Sequence, residues 1–158
     1  GALSLTPEER LKLAQRLTGR FGSVSQRRAL CMKLNSLLPN GEDLSPEDDA
    51  TVEHILPRSI AQGSPWLKDW PNLVERRELA DTVGNFCLLT KRDNQKADRM
   101  SFHEKRTQFF EDATHGGQFA LTRDASKYES WTPQDVKNRT RRLVDLLIKD
   151  WKLDLRDG

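Results

Sequence analysis

Apolar residues recur at helical spacing at both ends of this chain. Between them two short runs, TVEHIL at 51–56 and NFCLLT at 85–90, read as strands. A pair of strands this small needs helices to cover it. The expected fold class is therefore mainly α with a small two-stranded β element, in one domain. Residues 6–38 carry two helices. Thr6 caps the first, Pro7 suits its first position and Glu9 completes a capping box; Leu11, Leu13, Ala14 and Leu17 form its apolar face. Gly19 and Gly22 break it. A second helix over about 26–38 turns Leu30, Cys31, Leu34, Leu37 and Leu38 inward, and Pro39-Asn40-Gly41 ends it. Thr132 and Pro133 open a long helix over 132–152, whose Val136, Leu143, Leu146, Leu147 and Trp151 repeat near helical period. The middle, 50–112, holds the strands, a loop with short helical pieces, the polar stretch KRDNQKADRM read as a connection, and SFHEKRTQFFEDA. The last is a helix capped by Ser101 with Glu104 three residues on.

Composition removes several functional classes. A length of 158 residues suits one domain with a real core. Charged residues make up 32% and hydrophobic ones 35%, too apolar for a disordered chain. The net charge of +2 does not announce a nucleic-acid binder, so any such signal must be local. Cys31 and Cys87 lie in apolar runs without a CxxC pairing and read as buried reduced thiols of a cytosolic protein. No Cys/His cluster has zinc spacing, nothing resembles a P-loop, and no apolar run approaches the roughly 20 residues of a membrane span. No membrane partner is expected. The leading Gly-Ala reads as an expression remnant, and the abrupt helical start as that of a piece of a larger protein.

The most informative stretch is EHILP at 53–57. It sets a carboxylate beside a histidine inside an apolar strand and closes the strand with Pro57. A neutral imidazole near pH 7 can take a proton from water. Adjacent strand residues point to opposite faces, so Glu53 and His54 share one centre only at a distorted strand end or at its edge. Taken singly, each residue has a plain structural role open to it: a satisfied core histidine, a solvent-facing Glu53, a Gly84-Asn85 turn and Asn94 in a polar loop.

In order, EHILP, GNFCLLTKRDN and SFHEK resemble the HNH nucleases, whose active site is a ββα-metal finger. They are most similar to the C-terminal HNH domain of GmrSD-type, modification-dependent restriction and phage-defence proteins. The matching elements are His54-Ile55-Leu56-Pro57, Gly84-Asn85-Phe86, Asn94 and the Phe102-to-Lys105 run, with the flanking helices. The resemblance implies a ββα-metal finger embedded among helices. It implies a bacterial, cytoplasmic, metal-dependent endonuclease that nicks or cleaves DNA as the effector of a restriction protein. Sensing and nucleotide hydrolysis would belong to an N-terminal domain outside this chain. It makes His54 the base, Glu53 a metal ligand, Asn94 a second ligand through its side-chain oxygen, and Asn85 the residue that holds the loop positioning His54. An oxygen-poor site with open water positions suits Mg²⁺ or Mn²⁺.

Lys91, Arg92, Lys96 and Arg99 surround Asn94, and Lys105 and Arg106 follow; these six are the expected DNA contacts, against the alternative of a solvated face. Lys137, Arg139, Arg141 and Arg142 form a second patch that either extends the footprint or pairs with nearby acids. His103 reads as a surface residue and His115 as part of a turn. Trp66, Trp70, Trp131 and Trp151 read as packing anchors. Two other classes stay open: an HNH fold that only grips DNA, and a helical scaffold. Oligomeric state has no signature in the sequence.

Overall fold

A computed structural model describes residues 6–156. Gly1, Ala2 and the Ala14 side chain lie outside what is described. Helix α1 (Pro7–Thr18) starts with the expected box: Glu9 N–H donates to Thr6 Oγ1 and Thr6 N–H to Glu9 Oε2. Helix α2 (Val24–Leu37) begins two residues earlier than its apolar pattern suggests, because Ser23 and Gln26 form a second capping box. Leu11 departs from the expected inward face of α1 and is 62% exposed.

Strand β1 (Thr51–His54) pairs antiparallel with β2 (Phe86–Leu89); His54 lies opposite Phe86 and Glu53 opposite Cys87. β1 stops two residues short of the expected end. There the Ile55 N–H turns to Asn85 O and the Leu56 N–H to the Asn85 side-chain oxygen, so the ladder gives way to a turn. Helix α3 (Leu73–Leu79) lies in the long connection between the strands, after a 3₁₀ turn over Pro65–Lys68.

The stretch KRDNQKADRM corrects the sequence-based expectation of a connection. Its first part is helix α4 (Lys91–Ala97), capped by Thr90 Oγ1, which accepts from Asp93 N–H. Helix α5 (Phe102–Lys105) opens on the Ser101/Glu104 box and continues as a π-turn over Arg106–Phe110. Helix α6 (Ala120–Ser126) and the long α7 (Pro133–Arg156) complete the chain. Sheet and helices together give the mainly α architecture with one two-stranded element. Among the described residues no helix is long and apolar enough to cross a membrane.

β2 is buried throughout because both its faces are covered. Phe86 and Leu88 join one core with Leu17, Cys31, Leu34, Leu121, Leu143 and Leu147. Cys87 and Leu89 join a second with Ile55, Leu56, Phe102, Phe110 and three tryptophans, Trp66, Trp70 and Trp131. Trp151 packs against the first core. All four therefore anchor packing, and Cys31 and Cys87 are both buried free thiols on different sides of the sheet. The turn that delivers β2 lies directly on α7. A Cβ on Gly84 would stand 2.2 Å from both Thr140 Oγ1 and Val136 O, so only glycine fits there. Arg139 of α7 is fully buried beneath it and donates to Gly84 O, Phe86 O, Leu121 O and Asp124. The second basic patch thus resolves partly into pairing, with Arg139 and Arg142 both on Asp124.

Candidate functional site

The two-residue period of β1 sends Glu53 and His54 to opposite sides of the sheet. Glu53 faces α5 on the Cys87 side. It is 2% exposed, and its Oε1 accepts from Lys105 Nζ at 2.8 Å. Lys105 is fully buried, and its ammonium donates further to His54 O and Ile55 O, both at 3.0 Å. All three ammonium hydrogens are thereby used. Burial pushes the Glu53 carboxyl above its usual range; the Lys105 charge and hydrogen bond pull it back, and the Asp98 charge adds to the rise. The other oxygen, Glu53 Oε2, is buried with no hydrogen-bond partner.

His54 lies on the Phe86 side, its ring edge-on to Phe86 at 5.2 Å. Its Nε2 is 2.9 Å from Asp81 Oδ1. Burial lowers the imidazole pKa; the hydrogen bond and charge of Asp81 oppose the drop, and Arg58 and Arg27 add to it. The ring is therefore held in its neutral, proton-accepting form near neutral pH.

Asn94 comes from the first turn and a half of α4, which lies against β1. Its amide nitrogen donates to Thr51 Oγ1 at 2.8 Å and to Val52 O at 2.9 Å. Both amide hydrogens are spent on β1, so the oxygen is the end left for a ligand. Asp93, its neighbour, pairs with His115 Nδ1 at 2.8 Å, which ties the same helix to the turn at His115. His103 is exposed.

Asn85 is fully engaged within the protein. It donates to Leu56 O and Ala80 O and accepts from Leu56 N–H and Trp131 Nε1–H. It pins the turn leaving β1 to the turn entering β2, as a holder of the His54 loop would. It offers nothing to a substrate.

These elements meet at a cleft of about 270 Å³ lined by Glu53, His54, Arg58, Asn94, Asp98 and Arg99, with Pro57 and Ser59. A larger groove of about 500 Å³, lined by Thr51, Lys91, Asn94, Gln95 and Asp98, adjoins it through Asn94 and Asp98. The smaller one is the cleft lined by His54. Asp98 ends α4 at φ 27° and ψ −103°, a positive-φ conformation outside the left-handed helical region and uncommon for a non-glycine residue.

The donor set suits a hard divalent cation in part. Among the described residues no three His, Cys, Asp or Glu side chains converge as a metal cage. Asn94 and Glu53 both line the cleft; the Asn94 amide oxygen is uncommitted, and Glu53 Oε2 is buried and unpartnered, a sparse oxygen set that a cation would supplement with water.

Lys91, Arg92, Lys96 and Arg99 are all exposed; Arg99 lines this cleft and Lys91 the adjoining groove. One of the six expected DNA contacts needs correction. Lys105 is sealed in the interior on Glu53 and cannot reach a phosphate. Arg106 is turned to Tyr128 O at 2.8 Å and to Glu111 at 3.3 Å. Sequence reasoning missed Arg58 and Asp81. Arg58 follows EHILP directly and carried a signal by proximity. Asp81 is 27 residues from its partner His54, and no local pattern marks it.

The family model for the C-terminal domain of GmrSD restriction endonucleases matches residues 11–146. No curated protein and no solved structure matches the chain.

Proposed function

The chain belongs to the family of C-terminal domains of GmrSD restriction endonucleases, and from that premise we propose a metal-dependent, HNH-type DNA endonuclease centred on His54. The observation that carries this reading is the convergence of His54, Glu53 and Asn94 on one cleft rimmed by Arg58 and Arg99. His54 takes the proton from an attacking water. Asn94 Oδ1 and Glu53 Oε2 are the protein oxygens that would hold Mg²⁺ or Mn²⁺. Such a cation, when bound, neutralises the scissile phosphate and the leaving oxygen. Arg58 and Arg99 offer guanidinium groups to phosphate oxygens, and Lys91, Arg92 and Lys96 extend the contact along the backbone. Asn85 holds the turn that aims His54. The substrate is DNA, and the domain acts as the effector of a cytoplasmic bacterial restriction protein whose sensor is a separate N-terminal domain.

One observation favours a second reading, a catalytically silent DNA grip: Glu53 is almost wholly buried and one of its oxygens is committed to Lys105. A supercoiled-plasmid assay separates the two. Wild type, His54→Ala and Asn94→Ala, each shown to be folded by circular dichroism, are incubated with Mg²⁺, Mn²⁺ or EDTA. The nuclease reading expects nicked or linear product from wild type only with metal. It expects a loss of about 10²- to 10⁴-fold in His54→Ala. Folded wild type that never cuts but shifts DNA in a salt-dependent way overturns it in favour of the grip.

A further inference from the structure

We propose that Asp81 is the positioning residue of His54, fixing the imidazole with hydrogen on Nε2 so that Nδ1 is the nitrogen presented to the cleft. This rests on the assignment of His54 as the base. Asp81 sits in the turn before β2, 4% exposed, and its own backbone oxygen accepts from Phe21 N–H at 3.0 Å. It cannot follow the ring; the ring must conform to it. Oδ1 meets His54 Nε2 at 2.9 Å and Arg27 at 3.7 Å, and Oδ2 meets Arg58 at 3.1 Å and Arg20 at 3.6 Å.

Three arginines, from the turn after α1, from α2 and from the segment after β1, therefore surround one carboxylate. Burial alone would raise the Asp81 carboxyl. The His54 hydrogen bond and the Arg58, His54 and Arg27 charges more than offset that and hold it below its usual range. An ionised carboxylate only accepts, so the hydrogen in the short contact belongs to Nε2. In the neutral ring the lone pair is then on Nδ1. Among the described residues no hydrogen bond engages Nδ1, and it is not among the buried atoms left without a partner. Phe86 lies edge-on to the ring, at 75° and 5.2 Å between centroids.

The same carboxylate orders Arg58, whose side chain is 56% exposed and lines the cleft. Base and phosphate-facing guanidinium thus hang from one anchor.

The tautomer can be read directly. The chain has three histidines, so long-range ¹H–¹⁵N correlation of the ring nitrogens in uniformly labelled protein gives three patterns, and His54→Ala identifies one. The spectrum is taken without metal or DNA, so its result does not depend on whether the domain cuts. The expected pattern is Nε2-protonated His54 in wild type, and a mixed or Nδ1-protonated ring in Asp81→Asn, whose amide can also donate. A wild-type His54 protonated on Nδ1, or a pattern unchanged in folded Asp81→Asn, overturns the proposal. If Asp81→Asn does not fold, the wild-type tautomer alone decides. Where plasmid cutting is seen, Asp81→Asn is expected to lower kcat at least tenfold with KM within about twofold; an unchanged kcat refutes the role.

Discussion

Lys105→Met probes how the site is supported from behind. The substitution keeps the buried stem at the end of α5 and removes the ammonium. Three hydrogen bonds go with it, to Glu53 Oε1 at 2.8 Å and to His54 O and Ile55 O at 3.0 Å. Breaking one partner out of a buried ion pair costs about 3–5 kcal/mol, because the remaining charge is stranded. Each orphaned carbonyl adds up to about 1–3 kcal/mol. Protonation of Glu53, whose carboxyl burial already pushes up, returns part of that. A net loss of about 3–5 kcal/mol is expected, a large share of the roughly 5–15 kcal/mol of a typical domain. Urea unfolding of wild type, Lys105→Met, Glu53→Gln and the double variant, followed by circular dichroism, measures it. The double variant should recover at least about 1 kcal/mol relative to the sum of the singles, since each single strands one charge and the double variant strands none. Lys105→Met within about 1 kcal/mol of wild type, combined with weakened DNA binding, would show that the lysine is a surface contact and refute the buried pair.

Gly84→Ala should destabilise by several kcal/mol, read in the same unfolding assay, because its Cβ would overlap Thr140 Oγ1 and Val136 O on α7. Replacing Lys91, Arg92, Lys96 and Arg99 together by Gln should flatten the dependence of log binding constant on log salt by up to about 3–4, as each lost phosphate contact removes about 0.9; an unchanged slope would exclude that surface. Asp124 is held below its ordinary 3.8 against the opposing effect of burial, by the hydrogen bond to Arg142 and the charge of Arg139. The unfolded chain therefore binds the extra proton first. This contribution is intact above about 3.8 and fades as pH falls toward the depressed folded value. Asp124→Asn should be less stable than wild type at neutral pH, with a smaller further loss on acidification; parallel pH profiles would contradict the assignment.

The elements nearest the cleft show how far local pattern reaches. Thr6, Ser101 and Thr132 announced three helix starts, since a cap is a bond between residues three apart and needs no other part of the fold. α4 escaped because its seven residues are nearly all polar and expose a face to solvent. Its helical state comes from the Thr90 cap and from Asn94 and Asp93 reaching β1 and His115, not from an apolar period. Lys105 was misplaced for the same reason in reverse. A lysine on a capped helix is ordinarily solvated, and only the Glu53 carboxylate 52 residues away makes its burial tolerable.

The sequence by itself determined the helix-rich class, the two strands, the residue order Glu53, His54, Asn85 and Asn94, and the buried state of both cysteines. Those follow from period, caps and apolar runs, all of which act over a few bonds. Tertiary structure alone decided which charges are interior and which meet the cleft. It put Lys105 and Arg139 inside, left Lys91 and Arg92 outside, and set Asp81 against His54. Burying a charge costs free energy that only a specific distant partner offsets, and no local pattern names that partner.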